Sequence, residues 1–535
     1  MRLVEEPIVQ VTVCPGDAGV DESFSENGLK LSASAERFER VRQRSGLVLA
    51  PLGFALIALS PIQGLSPEAH RLAAVAVLTA ILWITEAIPL SVTALFAPCL
   101  CVLLKVAPAK TVFAPFADPV VFLFIGSFII AKAMFAHGLD RRVAIAVLAL
   151  KWVGPRPGRI IVAFSAVTLF LSMWLSNTAT TAMMYPIGLS LLTTLSAANG
   201  RREMTPSVRA YASGLMLLCA YAASLGGLGT PVGTPPNLIG LGMIYKATSV
   251  RISFFHWMLL VGPIMLLLYG VLLWVMSSTV RGQFPHRAKV QDWIRAEKDR
   301  LGKMSRGERN TAIAFAVTAG LWILPGVISL LFGAASGVAG FLEERMPEAV
   351  VALLGATLLF VLPVDWGKRT FTIGWKEAAS IDWGTILLFG GGLSLGSLMF
   401  STGLAEVAGL VLQDWTGAHT VTAMTFLFTA VAILMSELTS NTATANVIIP
   451  IAIGLAQGSG VNPVLPALGA CLGASAGFAL PVSTPPNAIV YGSGLVPITH
   501  MIRYGIFIDI AAAIIIPVVL LSWGPLLLPG IAAAP

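Results

Sequence analysis

Charge is what this chain has least of: 34 basic and 27 acidic residues in 535, or 11%, against 56% of hydrophobic type and a mean hydropathy of +0.83. A soluble globule carries about a quarter of its residues charged. The composition therefore excludes a soluble enzyme of ordinary surface, and with it a disordered chain or a collagen-like repeat. Cysteine is scarce and odd in number. Of the five, Cys99, Cys101, Cys219 and Cys471 sit in apolar runs and only Cys14 does not, which excludes a disulfide framework or a metal knuckle and makes them small core residues. The six histidines show no metal spacing. No nucleophile stands beside a base and no phosphate loop occurs, so an intramembrane enzyme and an ATP-driven pump both lack their parts. The net charge of +7 fits basic loops on the inner side of a membrane better than a nucleic-acid partner.

What the chain has in quantity is the long apolar run. Stretches beginning near residues 46, 70, 90, 117, 158, 206, 253, 310, 347, 383, 420, 463 and 503 are each long enough for all or most of a crossing, since about 20 residues span roughly 30 Å of hydrocarbon. Arg37, Arg40, Arg42 and Arg44 precede the first run and place the N-terminus in the cytoplasm, at the end of a polar tail without a signal-peptide core. The segment 281–309, with nine Lys or Arg against four acids, belongs on the same side, as do Lys368, Arg369, Lys376 and Arg503. Residues 158–198 are flanked by Lys151, Arg156 and Arg159 before and by Arg201 and Arg202 after, so both ends ask for the cytoplasm. A re-entrant hairpin with Ser176-Asn177-Thr178 at its tip is expected, because irregular backbone at that depth is tolerated only where it is buried in protein or lines a cavity. Residues 420–457, centred on Ser440-Asn441-Thr442 and without flanking Lys or Arg, form its mirror from the outer side. About eleven crossings then remain, with the C-terminus outside.

The two polar knots are copies. Residues 176–180 and 440–444 both read Ser-Asn-Thr-Ala-Thr, each is followed by a proline (Pro186, Pro450), and Thr234-Pro235-Pro236-Asn237 is matched by Thr484-Pro485-Pro486-Asn487. Met134-Phe135 and Met399-Phe400 are weaker echoes. A duplicated unit with an odd number of crossings runs in opposite senses through the bilayer. That is the inverted-repeat plan of secondary transporters, whose interrupted segments meet near the midplane as a binding site. A single Ser-Asn-Thr would more often be interhelical glue; two copies at corresponding breaks point to a site. The paired prolines remove two backbone donors and stop a helix, leaving carbonyls and amides for a ligand.

Hydroxyls, Asn side-chain oxygens and free carbonyls suit an alkali cation, whereas the Asn amide, hydroxyl hydrogens and helix N-termini suit an anion. No Lys or Arg falls within either motif cluster. An anion carried to this depth needs a cation beside it; bound sodium supplies that charge, and each ligand then tightens the other. Glu86 and Glu437 are read as structural acids at bends with free amides in preference to proton-sensing groups, and Lys132 and Asp509 as interface or interdomain partners.

Together with Trp83-Ile84-Thr85-Glu86-Ala87-Ile88-Pro89, the paired motifs, over roughly residues 46–531, resemble the divalent anion:sodium symporter family, carriers of dicarboxylates, citrate and sulfate. The resemblance implies an all-α polytopic inverted-repeat transporter of elevator type, a homodimer in the bilayer of the cell (inner) membrane. Its parts would be a tail at 1–45, scaffold at 46–156 and 310–415, transport domain at 157–280 and 416–535, and a cytoplasmic basic loop at 281–309. Carried over by residue, one sodium site would use Ser172, Ser176, Asn177 and the Gly233 carbonyl. The other would use Ser436, Thr439, Ser440, Asn441 and the Ser483 carbonyl, its geometry differing because Ser483 stands where the first half has Gly233. Substrate carboxylates would meet Asn177, Thr178 and Thr234 from one half and Asn441, Thr442 and Thr484 from the other. The function implied is sodium-coupled symport of di- and tricarboxylates such as succinate, malate and fumarate, with Na+ as coupling ion and no other cofactor. Alternatives within the family are anion exchange of the 2-oxoglutarate/malate or citrate/succinate type and sodium/sulfate symport; a channel is the reading from another class.

Overall fold

Helices begin where proline and a capping side chain ask for them. Ser66 caps Pro67–Thr85 by accepting from the Ala69 amide, and Asp118 caps Pro119–His137 by accepting from that of Val120 (both 3.1 Å), each with proline in the first turn. Ser305 and Glu308 close a reciprocal capping box at the start of Arg306–Phe332. Helices end in left-handed residues at Glu86 (φ 47°) and Gly138 (φ 69°). The computed structural model describes residues 33–62, 64–197, 206–277, 287–333 and 337–528. Most of the 1–45 tail, and Arg201, Arg202 and Arg281, which entered the sequence reading, lie outside them.

The described residues form a helical assembly in which eight helices are long and apolar enough to cross a membrane, with four shorter apolar helices at Leu90–Leu103, Pro157–Ser172, Glu348–Val361 and Val464–Gly473. Packing between the halves is reciprocal. Leu90–Leu103 lies on Trp383–Ser401, and Pro119–His137 on Glu348–Val361. Around the first knot, Pro157–Ser172 and Asn177–Ala197 pack on Pro206–Leu228; around the second, Val421–Leu438 and Asn441–Gly458 pack on Val464–Gly473. The helices that follow the paired prolines then exchange sides. Pro235–Thr248 lies on Asn441–Gly458 and Val464–Gly473 of the second half, and Pro485–Tyr491 on Asn177–Ala197 and Pro206–Leu228 of the first. The centre is covered on all sides, every side chain from Tyr211 to Leu228 being buried, while large apolar residues such as Leu266, Trp274, Leu331 and Ile510 face outward. A lipid solvent accepts that outer surface.

The basic segment read as a loop, 281–309, contains a helix, Arg287–Leu301. Its charged sequence carries an apolar stripe, and Val290 and Ile294 are buried on it, a pattern of one covered face that alternation of charges obscures. Arg142 is its anchor. The guanidinium donates to both carboxylate oxygens of Glu308 (2.6 and 3.1 Å) and to the carbonyls of Leu301 (2.8 Å) and Gly302 (3.0 Å), while Arg141 pairs with Glu297. Arg142→Ala is expected to cost about 3 kcal/mol, because it strands a largely buried carboxylate. A lower melting temperature in detergent and faster tryptic cleavage between 287 and 303 would register it.

The helices are interrupted by a small antiparallel β-hairpin, Pro363–Asp365 with Thr370–Phe371. Thr372 O accepts from His137 Nε2 (2.6 Å), and Asn310 donates to Pro363 O (3.1 Å). Tyr211 donates to Pro157 O (3.2 Å) and Ser213 meets His500 Nδ1 (3.3 Å). The Lys368–Arg369 hairpin thus sits at the start of Arg306–Phe332 and the end of Pro119–His137, and the start of the Arg503 helix lies beside Pro206–Leu228, whose Tyr211 reaches the start of Pro157–Ser172.

Candidate functional site

The knots repeat each other down to single hydrogen bonds. In the first, Ser172 Oγ donates to Asn177 Oδ1 at 2.8 Å; in the second, Ser436 Oγ donates to Asn441 Oδ1 at 2.7 Å. Each pair places a hydroxyl and an amide oxygen side by side at the end of one arm and the start of the next. Ser172 and Ser436 are fully buried (0%). Ser176 and Thr178 are exposed, and Asn177, Ser440 and Asn441 lie between those extremes.

Each knot is then joined to the break that follows it. A Cβ placed on Gly227 would lie 2.3 Å from Asn177 Oδ1, so only glycine lets this helix reach the asparagine; Gly233 folds back on Gly227 in turn. Thr230 donates to Met173 O, and Trp257 Nε1 to Leu228 O (3.0 Å). In the second half the single Ser436 hydroxyl hydrogen is shared between Asn441 Oδ1 and Ala474 O (2.8 Å), and Ser483 Oγ donates to Gly477 O (3.1 Å). The structure thus gathers Ser172, Asn177 and Gly233 into one cluster and Ser436, Asn441 and Ser483 into another. The Thr439 hydroxyl donates to Met435 O (3.1 Å) and meets Thr444 Oγ1 (2.8 Å). Thr484 Oγ1 caps its own helix by accepting from the Asn487 amide (3.4 Å), whereas Thr234 makes no such cap; both threonines are buried. Ser176 Oγ accepts from the Ala179 amide (3.2 Å).

The breaks of the two halves touch. Cys471, on the helix entering the second break, donates through Sγ to Pro236 O (3.1 Å), and Tyr221, entering the first, stacks edge-on against Phe478 at 5.4 Å. Thr178, Thr442 and the Thr-Pro-Pro-Asn loops therefore belong to interlocked elements, as an intervening binding site requires.

Three features were not legible as motifs. Glu437 accepts from the backbone amides of Ala479 (2.8 Å) and Leu480 (2.9 Å), and Asp509 accepts from Phe478 N (3.2 Å). The acid expected at a bend does serve free amides, but those of the distant second break. Trp174, inside the first knot, stacks with Phe254 at 5.9 Å and edge-on with Phe315 at 5.1 Å. Arg42 Nη1 donates to Leu438 O (3.5 Å), just ahead of the second knot, while Nη2 pairs with Glu86 Oε2 (3.3 Å). A fixed cation does approach the second knot, then, but with its own counter-charge. Arg42 was legible only as a topological flank, because its partners come from the far end of the chain.

Comparison with known proteins gives the family. The family described as sodium:sulfate symporter transmembrane region matches residues 41–529. The sodium-dependent dicarboxylate transporter SdcS of Staphylococcus saprophyticus is 34% identical over 485 residues, 90% of this chain and 91% of that one. Its namesake in Staphylococcus aureus strain bovine RF122 is 34% identical over 490 residues, 91% and 92% of the two chains. Among solved structures, the Alcanivorax borkumensis YdaH transporter superposes with a TM-score of 0.53 at 15% identity, covering 92% of this chain and 99% of that one, a likeness of fold. The resemblance read from the twin motifs is borne out: the chain belongs to the sodium:sulfate symporter family, a family of membrane transporters and not of enzymes.

Proposed function

We propose that the chain is a sodium-coupled symporter of di- and tricarboxylates such as succinate, malate and fumarate. It acts as an elevator-type homodimer in the cell (inner) membrane, its N-terminus cytoplasmic, with about eleven crossings and the two knots as tips of re-entrant hairpins. The observation that carries the reading is the twin Ser–Asn oxygen pair, Ser172 with Asn177 and Ser436 with Asn441, each against a broken helix. The names of the relatives at 34% identity support sodium and a dicarboxylate.

In this reading Ser172, Ser176, Asn177 and the Gly233 carbonyl hold one sodium ion, and Ser436, Thr439, Ser440, Asn441 and the Ser483 carbonyl hold another. These are hard, neutral oxygens, and each sodium leaves its cluster positive. The substrate carboxylates take hydrogens from Asn177, Thr178 and Thr234 and from Asn441, Thr442 and Thr484. Desolvating a carboxylate costs several kcal/mol per charge. Arg42 does not cancel that cost, since Glu86 already claims its charge. The sodium ions do, and reciprocity makes the anion tighten them.

Purified protein in liposomes tests this: an inward sodium gradient is expected to drive uptake of labelled succinate, and choline in place of sodium to abolish it. Uptake seen only with a trapped counter-anion would replace symport by exchange. Sulfate is the second reading, favoured by the description of the matched family; millimolar sulfate that suppresses succinate uptake would support it.

A further inference from the structure

We propose that Asn237 and Asn487, the fourth residues of the two Thr-Pro-Pro-Asn motifs, are positioning residues that hold the ion-ligating loops in shape; this rests on the sodium reading above. Both side chains are fully buried (0%). Asn237 Nδ2 donates back to Gly227 O (2.9 Å) and Thr230 O (2.8 Å). Asn487 Nδ2 donates to Leu480 O (3.0 Å), Phe478 O (3.3 Å) and Ser483 Oγ (3.3 Å). Each amide group is thereby spent on the loop that precedes its own helix. The orientation is forced, since turning the amide over would set its oxygen against carbonyl oxygens. Oδ1 of each meets no donor among the described residues. A buried oxygen left in that state is a cost, and the hydrogens are what offset it.

The paired prolines explain why a side chain is needed. Pro235, Pro236, Pro485 and Pro486 have no amide hydrogens, so the first turn of each helix has lost two donors toward the loop before it, and the Asn237 and Asn487 backbone amides reach back only as far as Thr234 and Thr484. The asparagine side chain supplies the tie instead. The loops it pins are those that carry the expected ligands. Gly227 gives its carbonyl to Asn237 and its α-carbon face to Asn177 Oδ1, while a Cβ on Gly233 would lie 2.6 Å from the Gly227 carbonyl oxygen. In the second half a Cβ on Gly477 would lie 3.0 Å from Ser436 Oγ, and Ser483 bridges Asn487 to the Gly477 carbonyl. Moving either asparagine moves a ligand loop against its knot.

The halves differ in one respect that sharpens the test. Ser483 Oγ donates to Gly477 O and Leu480 O (both 3.1 Å), a second tie that a glycine at 233 lacks. Loss of Asn237 therefore weighs more than loss of Asn487.

Full-length protein in liposomes, with succinate as probe and choline replacing sodium, reads this out. Asn237→Ala is expected to raise the sodium concentration for half-maximal uptake about tenfold and Asn487→Ala about threefold, with KM for succinate at saturating sodium changed by less than about twofold. Asn237→Asp, which keeps Oδ1 and puts a second oxygen in place of the donating amide group, is expected to shift at least as far as the alanine variant does. Wild-type sodium activation in either Asn237 variant overturns the proposal. So does a fall in maximal rate without a sodium shift, the mark of a merely structural role. If Asn237→Ala does not fold, Asn237→Asp carries the test. If the wild type takes up no succinate, the symport reading fails and a second readout decides: sodium is expected to raise the melting temperature of the wild type in detergent and to need about tenfold more salt in Asn237→Asp. An equal response in both proteins, or none in the wild type, overturns the inference.

Discussion

Asn177→Ala and Asn441→Ala are each expected to reduce sodium-driven succinate uptake at least about 100-fold, while the protein still elutes as a folded species. Each change removes an oxygen offered to the cation and an amide offered to the anion, so both ligands lose a contact and the coupling between them goes too. Neither asparagine is the sole tie between its arms and the core. Gly227→Ala is expected to reproduce the defect without replacing a ligand. Its new methyl would lie 2.3 Å from Asn177 Oδ1, backed by a helix whose residues are all buried, so the asparagine must give way. A displacement of about 1 Å at such a site costs on the order of 100-fold. Uptake above a tenth of wild type in Asn177→Ala or Asn441→Ala would remove these residues from the site.

Glu437→Ala carries the largest expected loss of stability. The carboxylate accepts from the Ala479 and Leu480 amides, and the break that follows leaves those donors no helical partner. An unsatisfied buried amide costs about 1–3 kcal/mol, so the variant is expected to lose roughly 2–6 kcal/mol, seen as a lower melting temperature in detergent. Glu437→Gln keeps one acceptor and turns an amide toward a donor, and is expected to fall between. Equal melting of all three proteins would show that the two amides have other partners.

The fold was legible where the chain repeats itself. Twin Ser-Asn-Thr and Thr-Pro-Pro-Asn motifs announced two breaks, and the structure builds matching Ser–Asn pairs at both. Contacts between residues hundreds of positions apart were not legible: Arg42 with Leu438, Glu437 with Ala479, Trp174 with Phe315. Nothing local marks them, since each depends on how helices cross. The helix Arg287–Leu301 was hidden for another reason, its dense charge outweighing a narrow apolar stripe. Asn237 and Asn487 stood in plain view as the ends of a motif read only as a helix stop, and their hydrogen bonds give the stop its shape.

The exchange of post-break helices between halves also bears on biogenesis. Pro235–Thr248 finds its seat on Val464–Gly473, which leaves the ribosome roughly 230 residues later, or about 10–50 s at ordinary rates of synthesis. Throughout that interval the first half holds this helix with its companion not yet made, and lipid or the insertion machinery must shelter the uncovered face.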